Sequence, residues 1–287
     1  MILTGFTDEA SSDILQQIQV TKELGWQYLS ARTMGTANIH EISEEAFENV
    51  CEQLELHDIK VAEFGTLIGS WSKKIDSDWE ITVGEINRCI PRMQRLNVKI
   101  ARVMSYAQNE WDTDQAEKER FRRMREIVAR FQDAGLEALH ENCMNWGGFS
   151  ADHTLRLLEE VPGLRLIFDT GNPIFQRDRS KPKPYPWQNA FEFYQKVKHA
   201  IAHIHVKDGI IHSEAGEPEY TFAGEGSGEL DKIFKDLEKE NYQGFVAIEP
   251  HMGKVFHLNE NTQSPEFAYN IYKEYGQKFE EFLKVID

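Results

Sequence analysis

The chain has 287 residues, 40% hydrophobic and 28% charged, and a formal charge of −16 from 32 Lys and Arg against 48 Asp and Glu. A surface that acidic repels phosphate backbones and anionic lipid, which argues against a nucleic-acid or membrane role. Cys51, Cys89 and Cys143 are odd in number and unpaired in spacing, so they read as packed core thiols in a reducing compartment rather than a disulfide framework.

The opening MILTGFTDEA has no basic start and no apolar core, and it reads as a first strand rather than an export signal; a cytoplasmic protein is expected. From there, short β-branched runs alternate with longer amphipathic stretches. Strand 2–6 precedes helix 13–24, strand 27–30 precedes helix 44–57, and strand 60–64 precedes helix 78–96. Strand 100–104 is followed by helix 115–134, strand 137–141 by helix 151–160, and strand 164–169 by helix 187–198. Strand 201–206 with helix 230–240 and strand 245–249 with helix 265–286 complete the series.

Eight strands, each followed by a helix, imply parallel pairing through helical crossovers. Closing them into a single (β/α)₈ TIM barrel over residues 1–287 leaves no exposed sheet edge. Gly25 and Gly135 stand where helices should end, and Ser12, Ser43 and Ser150 where helices should be capped. The loop 171–187 carries Pro173, Pro182, Pro184 and Pro186. It is expected to be a lid or a subunit contact, leaving a homo-oligomer open, with a disordered insertion as the alternative.

Four consecutive strands end on side chains that bind metals: Glu141 in ALHENC, Asp169 in LIFDTGNP, His205 in HIHVKD and Glu249 in VAIEPH. In a barrel these ends converge at the C-terminal mouth, where active sites are built. Alone, each has a plain structural reading: Asp169 could cap a turn, and a single histidine is commonly a hydrogen-bonded core residue. Their coincidence is hard to obtain from packing. Three carboxylates and an imidazole make a hard, mostly oxygen site suited to one divalent ion.

With those motifs, and with GFTDEA, GWQYLSAR, HDIKVAEFGTLIG and FAGEGSGELD elsewhere, the chain resembles the xylose-isomerase-like TIM barrels, the sugar phosphate isomerase/epimerase superfamily. The resemblance implies Glu141, Asp169, His205 and Glu249 as ligands of one Mn²⁺, Mg²⁺, Co²⁺ or Zn²⁺ ion and a small carbohydrate as substrate. One departure stands out. Many members have a histidine after Asp-x-Gly; this chain has Asn172, which can hydrogen-bond a hydroxyl but cannot titrate.

The expected chemistry is metal-dependent isomerisation or epimerisation: Glu141 and Glu249 act as bases beside a carbonyl, through an enediolate. The alternative is a lyase acting on a keto sugar or inosose with the same groups. A glycoside hydrolase would leave Asp169 and His205 idle, a repair endonuclease would need a basic groove, and a sugar-binding barrel would lack turnover. Substrate contacts are expected from Asn172, Lys207, Asp208, Arg32, His203 and Trp71, with anchoring of the mouth as the other reading of Arg32. For Lys207 and Asp208 a loop ion pair is the competing reading. Trp111 and Trp146 are weaker stacking candidates. His140, turned away from Glu141 by strand alternation, reads as structural. Gly224, Gly226 and Gly228 resemble a phosphate loop but lack its lysine ending, so a turn into the seventh helix is expected.

Overall fold

The computed structural model describes residues 1–211, 218–253 and 264–286. Its barrel strands are β1 (Ile2–Gly5), β2 (Tyr28–Ala31), β3 (Lys60–Phe64), β4 (Ile100–Val103), β5 (Glu137–Glu141), β6 (Arg165–Asp169), β7 (Ile201–Val206) and β8 (Phe245–Ile248). Consecutive strands pair in parallel from β2 round to β8, and β8 pairs with β1. A parallel bridge between Phe6 and Ser30 joins the β1 and β2 sides of the seam.

The helices are α1 (Ile14–Glu23), α2 (Glu44–His57), α3 (Trp79–Arg95), α4 (Glu117–Asp133), α5 (Ala151–Glu160), α6 (Ala190–Val197), α7 (Leu230–Lys239) and α8 (Pro265–Ile286). They pack on the strands as periodicity requires. Leu230, Ile233, Phe234 and Leu237 form the buried stripe of α7. On the strands, Ala101, Val103, Ala138, Ile204, Val206, Val246 and Ile248 pack outward with helix residues in the core. The period of two therefore turns Arg102, Glu141, His205 and Glu249 toward the barrel axis.

Most local signals behave as expected. Ser43 and Ser150 cap α2 and α5 through their hydroxyls, and Gly25 and Gly135 have φ of +73° and +72°. The cap of α1 is Asp13 rather than Ser12: its carboxylate accepts from the Gln16 amide. Helix α6 starts at Ala190, because Asn189 accepts from the Glu192 amide and leaves 187–189 in the preceding loop. Two short hairpins were not evident from the sequence: Thr33–Met34 with Ala37–Asn38, and Asp208–Ile211 with Pro218–Thr221. Each follows a barrel strand at the mouth, and its alternating residues are too few to register as a periodic run.

The proline-rich loop is built onto its neighbours. Arg177 bridges to Trp187, Arg179 lies 4.5 Å from the Trp111 ring and 4.4 Å from the Tyr185 ring, and Lys183 pairs with Asp112 at 2.6 Å. Cys51, Cys89 and Cys143 are all buried thiols. No helix among the described residues is long and apolar enough to cross a membrane.

Gly69 fixes the approach of the loop after β3 to the mouth. Its φ is +64°, and an added Cβ would lie 2.1 Å from the Met104 carbonyl oxygen. The flanking bonds, Met104 N–H to the Ile68 carbonyl and Tyr106 N–H to the Gly69 carbonyl, hold the two chains together there. Gly69→Ala is expected to lower unfolding free energy by at least about 1–3 kcal/mol, measured by urea denaturation, since backbone must shift to admit the methyl. An unchanged midpoint would contradict this.

Candidate metal centre

One ligand atom from each of Glu141, Asp169, His205 and Glu249 lies within 4.8 Å of the other three, and all four residues are buried. The strands place them directly: Glu141 ends β5, Asp169 ends β6 beside His205 in register, and Glu249 follows β8. The structure thus brings the four strand-end residues together.

Both readings of Asp169 hold, one on each oxygen. Oδ1 accepts from the Gly171 and Asn172 amides at 2.9 and 2.7 Å and so caps the turn. Oδ2 is buried and accepts no aligned hydrogen bond, with the Lys207 ammonium 3.2 Å away. His205 Nδ1 lies 3.1 Å from Glu141 Oε1, and its Nε2 lies 3.0 Å from Glu63 Oε1. Arg102 Nη1 approaches Glu141 at 3.4 Å and Glu249 at 3.9 Å. Both oxygens of Glu249 are engaged, Oε1 by Arg32 and Oε2 by Lys207 at 2.8 Å.

The charge balance around these groups is the main physical feature. Asp8, Glu9, Glu63, Glu141, Asp169 and Glu249 are buried carboxylates, faced by Arg32, Arg102 and Lys207 as permanent cations. The negative excess makes its buried neighbours more basic. Burial alone would lower the His205 imidazole, but Glu63 and Glu141 outweigh it and raise it to about 10. Burial, with Glu249 and Glu141 close by, pushes Asp169 up to about 6 against the pull of Lys207. Burial would raise Glu249 too, yet Lys207, His251 and Arg32 hold it well below the ordinary carboxylate range. Hard donors, a buried Asp169 oxygen that accepts no aligned hydrogen bond, and surplus negative charge together fit a divalent cation.

The expected substrate contacts separate into two groups. Trp71, Asn172 and Lys207 line a cavity of about 250 Å³ with Glu141, Glu249, Arg102 and His251. Asn172 Nδ2 is buried there with no hydrogen-bond partner among the described residues. Arg32, His203 and Asp208 are not among its lining residues. Arg32 is 1% exposed and clamps Asp8 through two bonds of 2.9 and 3.0 Å, Glu9 at 3.1 Å, and Glu249. It is an internal clamp, so of its two readings the anchor of the mouth matches these contacts and the substrate contact does not. His203 does share a face with His205 but lies one pleat further from the mouth, with Nε2 at 2.9 Å from Glu63. Asp208 Oδ1 accepts from the Gly209 and Gly228 amides, and its Oδ2 from those of Gly224 and Gly226. The glycine loop therefore wraps this chain's own carboxylate, leaving Asp208 no oxygen for a sugar.

His140 is structural as expected, bonded to Ser105 and Asn145 behind the strand, with burial lowering it to about 4. Trp146 is core, packed on Phe121, and Trp111 lies on Phe149 and Arg179. Reading the sequence missed Glu63, Arg102, Glu9 and His251. His251 Nδ1 lies 2.8 Å from Glu9, and its ring lines the cavity. The available signals were a glutamate inside the apolar strand VAEFG and an arginine inside IARVM.

At neutral pH the raised His205 carries a proton that a bound cation must displace. Metal uptake is therefore expected to release about one proton per ion, and affinity to rise about tenfold per pH unit. The dependence should steepen below pH about 6, where Asp169 also holds a proton. Calorimetry in buffers of different ionisation enthalpy measures the release; affinity independent of pH would contradict the assignment.

A family profile described as the xylose isomerase-like TIM barrel matches residues 18–270. An inosose dehydratase of Clostridium botulinum (strain Alaska E43 / Type E3) is 26% identical over 132 residues, 41% of this chain and 41% of that protein. The match therefore spans less than half of that relative's length. Among solved structures, the probable 3-DHS dehydratase AsbF of Bacillus anthracis superposes with a TM-score of 0.70 at 18% identity, over 98% of this chain and 99% of that one. The IOLI protein, solved with a zinc atom, gives 0.72 at 15% identity over 99% and 98%. A D-allulose 3-epimerase also shares this shape. At such identities structural likeness speaks for the fold alone; it is the profile, matching most of the sequence, that makes this chain a member of the xylose isomerase-like TIM barrel family.

Proposed function

We propose that the chain is a divalent-metal-dependent lyase that dehydrates a polyhydroxylated ketone, a keto sugar or an inosose, through an enediolate. The observation that carries this reading is the asymmetry between the two glutamates. An epimerase needs a competent base on each face of the reacting carbon. Glu249 has both oxygens taken by cationic donors and is held far below the ordinary range, which weakens it as a base.

Glu141 is less encumbered. Burial raises its carboxyl, but Arg102 and His205 bring it below the ordinary value, so it is ionised at neutral pH and available to take a proton. The Lys207 ammonium lies 3.5 Å from His251 Nε2 and borders the same cavity. A departing hydroxyl needs a proton, and we assign its delivery to Lys207, which Asp169 and Glu249 keep in its charged form. Glu141, Asp169, His205 and Glu249 would hold the ion, which when bound would polarise the substrate carbonyl and acidify the adjacent C–H. Asn172 presents a neutral amide donor to a substrate oxygen. The matched relative and one structural neighbour, both named as dehydratases, support the lyase reading. Isomerisation or epimerisation is the second reading, favoured by the presence of both glutamates on the cavity wall.

Product analysis on metal-loaded protein, across a panel of inososes and ketohexoses, separates the two. Loss of water with appearance of a conjugated carbonyl is expected; a product of unchanged mass would favour the second reading. Lys207→Met is expected to cut dehydration by about 10²–10⁴-fold while α-proton exchange with deuterated solvent persists. Parallel loss of exchange and dehydration would remove Lys207 from the proton-donor role.

A further inference from the structure

A buried polar layer lies directly beneath the four strand-end residues. Ser30 on β2, Glu63 on β3, and His203 and His205 on β7 are all 0% exposed. Ser30 donates to Glu63 Oε1 at 2.9 Å. His205 Nε2 meets both Glu63 oxygens, at 3.0 and 3.1 Å, while His203 Nε2 reaches Oε1 at 2.9 Å but out of line for a hydrogen bond. None of the four borders the substrate cavity.

We infer that Glu63 is a positioning residue that fixes His205 as its Nε2–H tautomer, so that the Nδ1 lone pair is directed at the space shared with Glu141, Asp169 and Glu249. The inference rests on the metal-dependent reading of the site and names the residue that prepares it. The imidazole has two ring nitrogens, and a carboxylate accepts only from a protonated one. With Glu63 bracketing Nε2 through both oxygens, the proton of a neutral ring belongs on that nitrogen. Nδ1 then faces Glu141 Oε1 at 3.1 Å, lone pair toward lone pair. That arrangement calls for a positive centre between the two atoms: the second ring proton in the metal-free protein, and a cation that displaces it on binding. A carboxylate behind a ligating histidine also raises the basicity of the ring and restricts its rotation, and loss of such a partner costs about 10–100-fold in metal affinity.

Glu63, His203 and His205 are themselves residue types that bind metals, with ligand atoms within 4.8 Å of one another. Their enclosure favours a supporting role: the group lies wholly inside the barrel, and Ser30 already donates to one of its oxygens.

The test is titration of chelator-stripped wild-type protein and the Glu63→Gln and Glu63→Asp variants with Mn²⁺ and with Zn²⁺, alongside ¹⁵N shifts of the histidine rings. Wild type is expected to bind one ion, with His205 Nε2 protonated and Nδ1 bearing the metal shift. Glu63→Gln should bind about 10–100-fold more weakly at unchanged stoichiometry, and Glu63→Asp should recover part of the loss. If Glu63→Gln fails to fold, the wild-type ¹⁵N spectrum decides, because a metal on Nε2 overturns the inference. A second ion lost on substitution of Glu63 overturns it as well, as does equal affinity in wild type and Glu63→Gln. Wild type that takes up no metal would remove the metal-dependent reading and this inference together, which distinguishes the two failures.

Discussion

His205 stands between two carboxylates, Glu141 above and Glu63 below, and much of the mouth is arranged around that sandwich. The ring is wholly buried, so it meets no solvent that could screen either partner. Phe6 closes one flank, edge to face with His205 at 5.0 Å and under the Arg32 and Arg102 guanidinium groups at 4.4 and 5.3 Å. Buried charge of this density is stable only when every member has a counterpart. Arg32, Arg102 and Lys207 supply part of it, and a divalent ion is the natural remainder.

This constraint also explains the GFTDEA motif at the N-terminus. Asp8 and Glu9 lie in a short turn after β1 and reach across the seam to Arg32 after β2 and to His251 after β8. The same contacts bind the first and last parts of the barrel together and immobilise Arg32 against Glu249. Arg32 and His251, which close the barrel, thus join Lys207 in holding Glu249 ionised. That links the architecture to the choice between two reactions with a common first step.

The fold was legible because its signals are local. Apolar strands of period two, amphipathic helices, glycines at positive φ and serine caps each declare themselves over a few residues, and the strand-end glutamates, aspartate and histidine stood out where apolar runs stop. What escaped notice depends on partners distant in sequence. Glu63 in VAEFG looked like a strand residue because its acceptor role requires β7, more than a hundred residues on. The choice between substrate contact and mouth anchor stays open for Arg32 in the sequence, because nothing local reveals that Asp8, Glu9 and Glu249 surround it. Neither Asp208 nor the glycines 224, 226 and 228 reveal locally that the carboxylate fills the nest those glycine amides make. The proposed choice of dehydration over epimerisation was illegible for the same reason: it is argued from how many cations touch each glutamate.

The most direct measurement is anomalous diffraction from crystals grown with Mn²⁺, recorded at the manganese edge. One peak is expected, bounded by Glu141, Asp169, His205 Nδ1 and Glu249, with Glu63 on the far side of the imidazole. A peak elsewhere, or fully loaded crystals in which those four side chains do not surround the ion, would contradict the central claim.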